Sequence, residues 1–218
     1  MLDCPVTVVL PCLNEAASLP GVLAGIPSGY HALVVDNDST DDTADVARSH
    51  GADVVSEPRP GYGSAVHAGI VAATTPVVAV MDADGSLDGG QLPPLIEELD
   101  RGADMVIGRR RPVRGLRWPW HARLGTAAVC WRLRTRYGLP IHDIAPMRVA
   151  RRDALLSLGI TDRRSGYPVE LLVRAAKAGW RVVEHDVRYG PRTGGKSKVS
   201  GSVRGSLIAA HDFWKVIS

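Results

Sequence analysis

The chain reads as an α/β fold, a mostly parallel sheet flanked by helices on both faces, and three observations predict it. Through the first half, β-branched apolar runs alternate with amphipathic segments and little loop separates them. The run Val77 to Met81 is apolar at every position, as expected of a strand covered on both faces. Polar or acidic clusters follow such runs directly, at Asn14 and Glu15, at Asp36 to Asp38, and at Asp82 and Asp84. Open parallel sheets bind ligands at the carboxyl ends of their strands, so these clusters are expected to line one crevice.

Val6 to Leu10 is the first strand. Ser18 is placed to cap a short helix with Pro20 in its first turn and Val22, Leu23 and Ile26 on one face. Ala32 to Val35 is the second strand, and the following DNDSTDDT supplies turn residues and a cap for a helix over Thr43 to His50. A short strand, Val54 to Ser56, leads into a Gly-rich entry, Gly61 to Gly63, and a helix ending near Ala73. Beyond Met81, Pro93 and Pro94 start a helix from about Gln91 to Arg101, which Gly102 stops. Strand Asp104 to Ile107 runs into an irregular basic loop, GRRRPVRGLRWPW. Helix Ala122 to Arg136, strand Ile144 to Ala150, helices Arg152 to Leu158 and Pro168 to Ala178, and strand Arg181 to Tyr189 follow. GPRTGGKSKVSG is expected as a flexible basic loop and Ser202 to Ile217 as an amphipathic helix. With no repeat or linker, residues 1–218 read as one domain.

At 218 residues and 45% hydrophobic, the chain can bury a full core and is not a disordered protein. Cys4, Cys12 and Cys130 are few and far apart, which favours a reducing cytoplasm and no structural zinc. No stretch approaches the roughly 20 clean apolar residues of a membrane span. The net charge of +3 conceals an asymmetry: residues 1–104 carry a balance of −13 and residues 105–218 one of +16. Between Met105 and His142 stand nine arginines and no acid, which suits a solvated face, a phosphate groove, nucleic acid or an anionic membrane.

Asp82 and Asp84 suggest a metal and a phosphate, although an isolated pair of this kind reads equally as a polar strand-end turn that caps the next helix. Residues two apart on a strand share a face but lie roughly 6.6 Å apart, so both are poorly placed to grip one small cation. Mg²⁺ takes one or two carboxylates and completes its shell with waters and substrate phosphates. The metal is therefore assigned to Asp84, with Asp82 reaching a metal-bound water or a ribose, and Gly85 turning the backbone away.

In order along the chain, LPCLNEAASL, VVDNDSTDDT, PGYGSAVHAGI, MDADG, MVIGRR, IHDIAPMRVARRDAL, SGYPVELLVRAAKAGWRVVEHDVRY and GGKSKVSG resemble the motifs of the family 2 glycosyltransferases. These enzymes have the GT-A fold, a Rossmann-like sheet, and the resemblance is closest to the branch of polyprenyl-phosphate sugar synthases. It implies metal-dependent transfer of a sugar from a UDP-, GDP- or dTDP-linked donor, with inversion and with Mg²⁺ or Mn²⁺ as cofactor. The acceptor implied is a polyprenyl phosphate, and residues 1–104 would bind the donor while the basic half, 105–218, binds the acceptor.

Carried over by position, the resemblance implies that Pro11, Asn14, Glu15 and Asp36 cradle the base and ribose, with Asp38 and Gly63 beside them. It puts Asp82 near the ribose, Asp84 on the metal, and Arg109 and Arg123 at the acceptor phosphate. Arg192, Lys196 and Lys198 would close over the diphosphate. Asp143 is the implied base for a hydroxyl acceptor; for an ionised lipid phosphate it would instead position the arginines. Glu170 is the second choice, though an exposed or helix-pairing acid reads equally well there, and His67 reads as structural. Trp118, Trp120 and Trp131 suit core anchors or a membrane interface, Trp118 and Trp120 the latter, which allows peripheral contact with the inner face of an anionic membrane. The chain departs from the family at Asp38, often a glycine, at Ser86, commonly a glutamine metal ligand, and at DIAPMR, one residue shorter than the usual segment ending in GFR.

Two other readings compete. A soluble small-molecule hydroxyl could replace the lipid phosphate as acceptor. An arginine-rich nucleic-acid binder without catalysis would show steeply salt-dependent affinity indifferent to Asp84, but the acidic first half argues against nucleic acid. A sugar-phosphate nucleotidyltransferase would need a Gly-rich basic loop after the first strand, which LPCLNEAAS does not supply.

Overall fold

The run Val77–Val80 forms strand β4, buried at all four residues because it is paired on both edges and covered on both faces. The computed structural model describes residues 5–116, 120–193 and 213. Around β4 stand β1 (Val6–Cys12), α1 (Leu19–Ala24), β2 (Tyr30–Asp36), α2 (Thr43–Ser49), β3 (Asp53–Ser56) and α3 (Tyr62–Ala72). A 3-10 turn at Gly89–Gln91 leads into α4 (Leu92–Asp100), followed by β5 (Met105–Pro112), α5 (Trp120–Tyr137), β6 (Met147–Arg151), α6 (Arg152–Ser157), α7 (Tyr167–Lys177) and β7 (Val182–Tyr189).

The strands form one seven-stranded sheet in the order β3-β2-β1-β4-β6-β5-β7. Strand β6 runs antiparallel to both β4 and β5, whereas β5 and β7 are parallel, as are β1, β2, β3 and β4. Two reversals across β6 restore direction, so β1, β2, β4, β5 and β7 all end at one edge. Strands from the acidic and the basic half meet at the β4–β6 pairing.

Alternation along the strands separates the core into two layers. Val9, Val35, Val80 and Ile107 face α3, α5, α6 and α7, while Leu10, Val34, Ala79 and Val106 face α1, α2 and α4. Phe213 packs against the first layer.

Three boundaries differ from expectation. Strand β5 continues through Arg109 to Pro112 where a basic loop was expected, because β7 pairs with it as far as Tyr189 and Arg111 meets Asp186 at 2.7 Å. Strand β6 begins only at Met147: Ala145 takes a left-handed turn, φ 44°, and Pro146 follows. Strand β4 stops at Val80, so Asp82 and Asp84 sit in a loop rather than on one strand face. Ser18 precedes α1 without capping it; its own backbone is already helical, and its hydroxyl donates to the Ala83 carbonyl at 2.8 Å, tying α1 to that loop. The helix expected over Ser202 to Ile217, and Trp118, Lys196 and Lys198, lie outside the described residues, Phe213 excepted.

Candidate active site

The ends of β1 and β2 are laced together by the polar residues that follow them. Asn14 adopts φ 57°, its side-chain oxygen accepts from the Thr40 amide at 2.7 Å, and its own amide donates to Ser39 Oγ at 2.9 Å. The Glu15 amide donates to Thr43 Oγ1, and the Ser39 amide donates to Asp36 at 3.2 Å. Asp38 is exposed with φ 64°, the left-handed geometry for which glycine is favoured and which Asp tolerates. Pro11 pairs with Val35 beyond the last β1–β4 pair, so its missing N–H leaves no gap against β4. Asn37, buried and absent from the expected set, reaches the Glu57 and Arg59 carbonyls and accepts from the Gly61 amide, fixing the Gly-rich entry.

After β4 the chain folds tightly on Asp84. Asp84 is 3% exposed; one carboxylate oxygen accepts from the Ser86 amide at 2.8 Å and the Ser86 hydroxyl at 2.5 Å, and the other meets Arg192 at 2.7 Å. Ser86 thus braces the carboxylate. The segment after β7 lies on this loop, with the Thr193 amide donating to the Asp84 carbonyl and the Gly190 amide to the Ser86 carbonyl. Asp82 stands among Asp84, Arg148, Arg110 and Arg192, and burial, reinforced by the charge of Asp84, pushes its carboxyl up to about 6 against the pull of the arginines.

A second ionic group forms at the ends of β5 and β7. Arg110 binds Asp143 through two side-chain bonds, at 2.8 and 2.6 Å, and its amide adds a third at 3.0 Å. Burial pushes the Asp143 carboxyl up, but its bonds to Arg110 outweigh this and hold it below the usual range. Glu184 on β7 secures the turn from beneath, accepting from the Asp143 amide at 2.9 Å and meeting the His142 ring at 2.8 Å. Tyr189 stacks on the Arg110 guanidinium at 5.5 Å. Because successive strand residues face opposite ways, it is Arg110 and not Arg109 that joins Asp143. Arg123 is exposed on α5.

Arg148 lies beneath the edge on β6, 5% exposed; it donates to the Tyr62 hydroxyl at 3.3 Å and the Ile144 carbonyl at 2.9 Å, and its Nε has no hydrogen-bond partner. Arg110, Arg148, Glu184 and Asn37 were missed in sequence. The extension of β5, which sets the facing of Arg110, is the signal that could have found the first. Glu170 is structural: its carboxylate takes the Thr161 and Asp162 amides, the Thr161 hydroxyl and Arg174. Gly63 is explained by packing, since an added Cβ would lie 2.8 Å from the Arg163 carbonyl carbon and from Tyr167 Cβ, and its amide donates to the Arg164 carbonyl. His67 is partly buried, and desolvation with the nearby Arg163 charge lowers its pKa, in keeping with a structural residue.

The family model described as Glycosyl transferase family 2 matches residues 7–158. An uncharacterized glycosyltransferase of Mycobacterium tuberculosis is 78% identical over 98% of both chains. An undecaprenyl-phosphate mannosyltransferase of Micrococcus luteus is 33% identical, covering 96% of this chain and 93% of its own. A polyprenol monophosphomannose synthase of Mycolicibacterium smegmatis is 34% identical, covering 89% and 81%. Among solved structures, glucosyl-3-phosphoglycerate synthase from Mycobacterium tuberculosis, in complex with Mn²⁺ and UDP-glucose, superposes with a TM-score of 0.79 over 99% of this chain and 78% of that one, at 24% identity. The sheet is that of the GT-A enzymes, and the chain is a glycosyltransferase that belongs to family 2.

Proposed function

We propose that this chain transfers a hexose from a nucleotide diphosphate sugar to a polyprenyl phosphate, with inversion and with Mg²⁺ or Mn²⁺ as cofactor. The observation that carries the reading is the pairing of the buried Asp84 with Arg192, beside Asp82 and within the electrostatic reach of Arg110 and Arg148. Two crowded carboxylates, one of them pushed up by burial and further by the other's charge, form a site that a divalent cation relieves, and Asp84 with Asp82 would hold it. No three acids, histidines or cysteines converge among the described residues. One or two carboxylates completed by a diphosphate are the set that Mg²⁺ takes. Bound there, the ion would supply Lewis-acid stabilisation of the leaving diphosphate.

Asn14, Glu15, Asp36, Asp38 and Pro11 would hold base and ribose at the ends of β1 and β2. An oxygen of the acceptor phosphate forms the bond to the anomeric carbon as the bond from that carbon to the diphosphate oxygen breaks, and the nucleoside diphosphate departs. Arg192 faces the charge that grows on the leaving group. A phosphate is already ionised and needs no base, which suits Asp143, whose two oxygens are both committed to Arg110. Asp143 then positions Arg110 toward the acceptor phosphate, with Arg109 and Arg123 as outlying cations and Lys196 and Lys198 closing on the donor.

The structural likeness to an enzyme crystallised with phosphoglyceric acid supports a second reading, a soluble hydroxyl-bearing acceptor. It requires a base, and Asp143 is held ionised below its usual range and fully bonded, a poor proton acceptor. The test is transfer of labelled sugar from UDP-, GDP- and dTDP-linked donors to undecaprenyl phosphate with Mn²⁺. Lipid-linked product that is lost in Asp84→Ala supports the reading. Transfer to small hydroxyl acceptors alone overturns the lipid acceptor, and turnover indifferent to Asp84 overturns the metal site.

A further inference from the structure

We infer that the outward face of α5 is a docking surface for an anionic membrane. This goes beyond the transferase reading and does not depend on it, because contact with a bilayer is measured without donor or acceptor. Helix α5 presents Val129, Cys130 and Leu133 to the core. Leu124, Ala127, Ala128 and Trp131, spaced as neighbours along one side of a helix, are all exposed, Leu124 by 61% and Trp131 by 58%. Large apolar side chains seldom stand out among the described residues. Of the four exposed ones among the described residues, Val113, Leu124 and Trp131 fall in a single stretch, and Val71 lies elsewhere.

Helical position sets arginines on both flanks of this stripe, Arg132 and Arg136 on one side, Arg123 and Arg134 on the other. No acid occurs between Met105 and His142 to neutralise them. Apolar side chains between two rows of cations match a helix lying in the plane of a bilayer surface, its apolar residues at the acyl boundary and its arginines among lipid phosphates. A second copy of the chain fits less well. A two-fold contact on this face would bring arginine rows against arginine rows, a like-charge pairing that costs affinity. Nucleic acid would satisfy the arginines but leave Leu124 and Trp131 in water. The face is also tied to the ionic group at the sheet edge, because Arg134 donates to the Ile141 carbonyl at 3.0 Å, two residues before Asp143.

The experiment is flotation of the full chain with vesicles of phosphatidylcholine alone or mixed equally with phosphatidylglycerol. The comparison is wild type against Leu124→Ser/Trp131→Ser and Arg132→Gln/Arg136→Gln. Wild type is expected to float with the anionic vesicles and not the neutral ones. Each double variant should lose about tenfold or more in partitioning, while nucleoside diphosphate binding, read by calorimetry, stays as in wild type. Should the serine variant fail to fold, quenching of tryptophan fluorescence by brominated lipid, reduced in Trp131→Phe, reads the same contact. No flotation, flotation unchanged in both variants, or a concentration-dependent dimer abolished by the serine pair would overturn the proposal, the last by assigning the face to a second copy. Preferential binding to RNA or DNA over anionic vesicles would overturn it as well.

Discussion

Arg192 and Asp84 meet at 2.7 Å, with side-chain exposures of 30% and 4%, and the Thr193 amide closes on the carbonyl of the same aspartate at 3.0 Å. The segment after β7 therefore sets a cation on the carboxylate assigned to the metal. Removing one partner of such a pair leaves the other buried and uncompensated. Arg192→Gln is expected to bind Mn²⁺ about threefold to tenfold more tightly in the absence of nucleotide, since the ion no longer displaces a guanidinium at partly screened range. Turnover should fall about a hundredfold, the scale of losing one charge-stabilising donor in a transition state. Titration of free Mn²⁺ by electron paramagnetic resonance reads the first effect; an affinity unchanged from wild type would show that Arg192 and the metal do not compete.

Asp82 gives the stability of the protein a pH signature of its own. Its carboxyl is raised to about 6 by burial and by Asp84, so the folded protein prefers it protonated. That preference contributes fully below the unfolded value and is lost as pH rises through about 6. Asp82→Asn is therefore expected to melt higher than wild type at pH 8, by at most about 3 kcal/mol in stability, and to come close to it at pH 4. Mn²⁺ should narrow the gap by stabilising the ionised pair. Melting curves at the two pH values, with and without metal, check this.

The acidic edge was legible because its signal is local: an apolar run that stops at a carboxylate marks a strand end, and the ends of parallel strands converge. The alternation of strands and helices was legible for the same reason, down to the short strand β3. What stayed hidden depended on pairing between distant segments. Nothing in GRRRPVRG reveals that β7 carries β5 five residues further, and without that extension the opposite facing of Arg109 and Arg110 cannot be read. Ser18 looked like a cap because the residue type fits one. Its hydroxyl instead serves Ala83, sixty-five positions away. Ser86, which departs from the family's glutamine, acquires its meaning only from the bond to Asp84.

Asp143 and Arg110 form a buried pair, their side chains 4% and 17% exposed. Asp143→Ala leaves the guanidinium without its carboxylate and is expected to cost on the order of 3 kcal/mol of stability. The acid limb of the stability profile separates this from a simple cavity. A carboxyl held below its usual range contributes stability above the unfolded value, and the contribution disappears as pH falls through the lowered one. Wild type should therefore lose stability steeply below the ordinary carboxylate range, and Asp143→Asn, whose amide does not titrate, should lose less there. Denaturant melts between pH 3 and pH 7 test it; parallel profiles would remove Asp143 from the acid transition.

Gly85 connects the two halves of the Asp84 loop. It adopts φ +79°, and an added Cβ would lie 2.1 Å from Thr193 Oγ1 and 2.9 Å from Thr193 Cβ. Gly85→Ala thus combines a strained backbone with displacement of the residue next to Arg192, and a loss of about 1 to 3 kcal/mol is expected. Pushing Thr193 away should also separate Arg192 from Asp84, so free Mn²⁺ binding is expected to tighten as it does in Arg192→Gln. The steric and conformational parts are separable. In Gly85→Ala/Thr193→Gly the clashing Oγ1 and Cβ are gone while the positive φ remains, so part of the stability should return and the two substitutions should be non-additive. Full additivity in thermal melts would mean that Thr193 does not rest on Gly85, and that the Arg192 contact is held by other means.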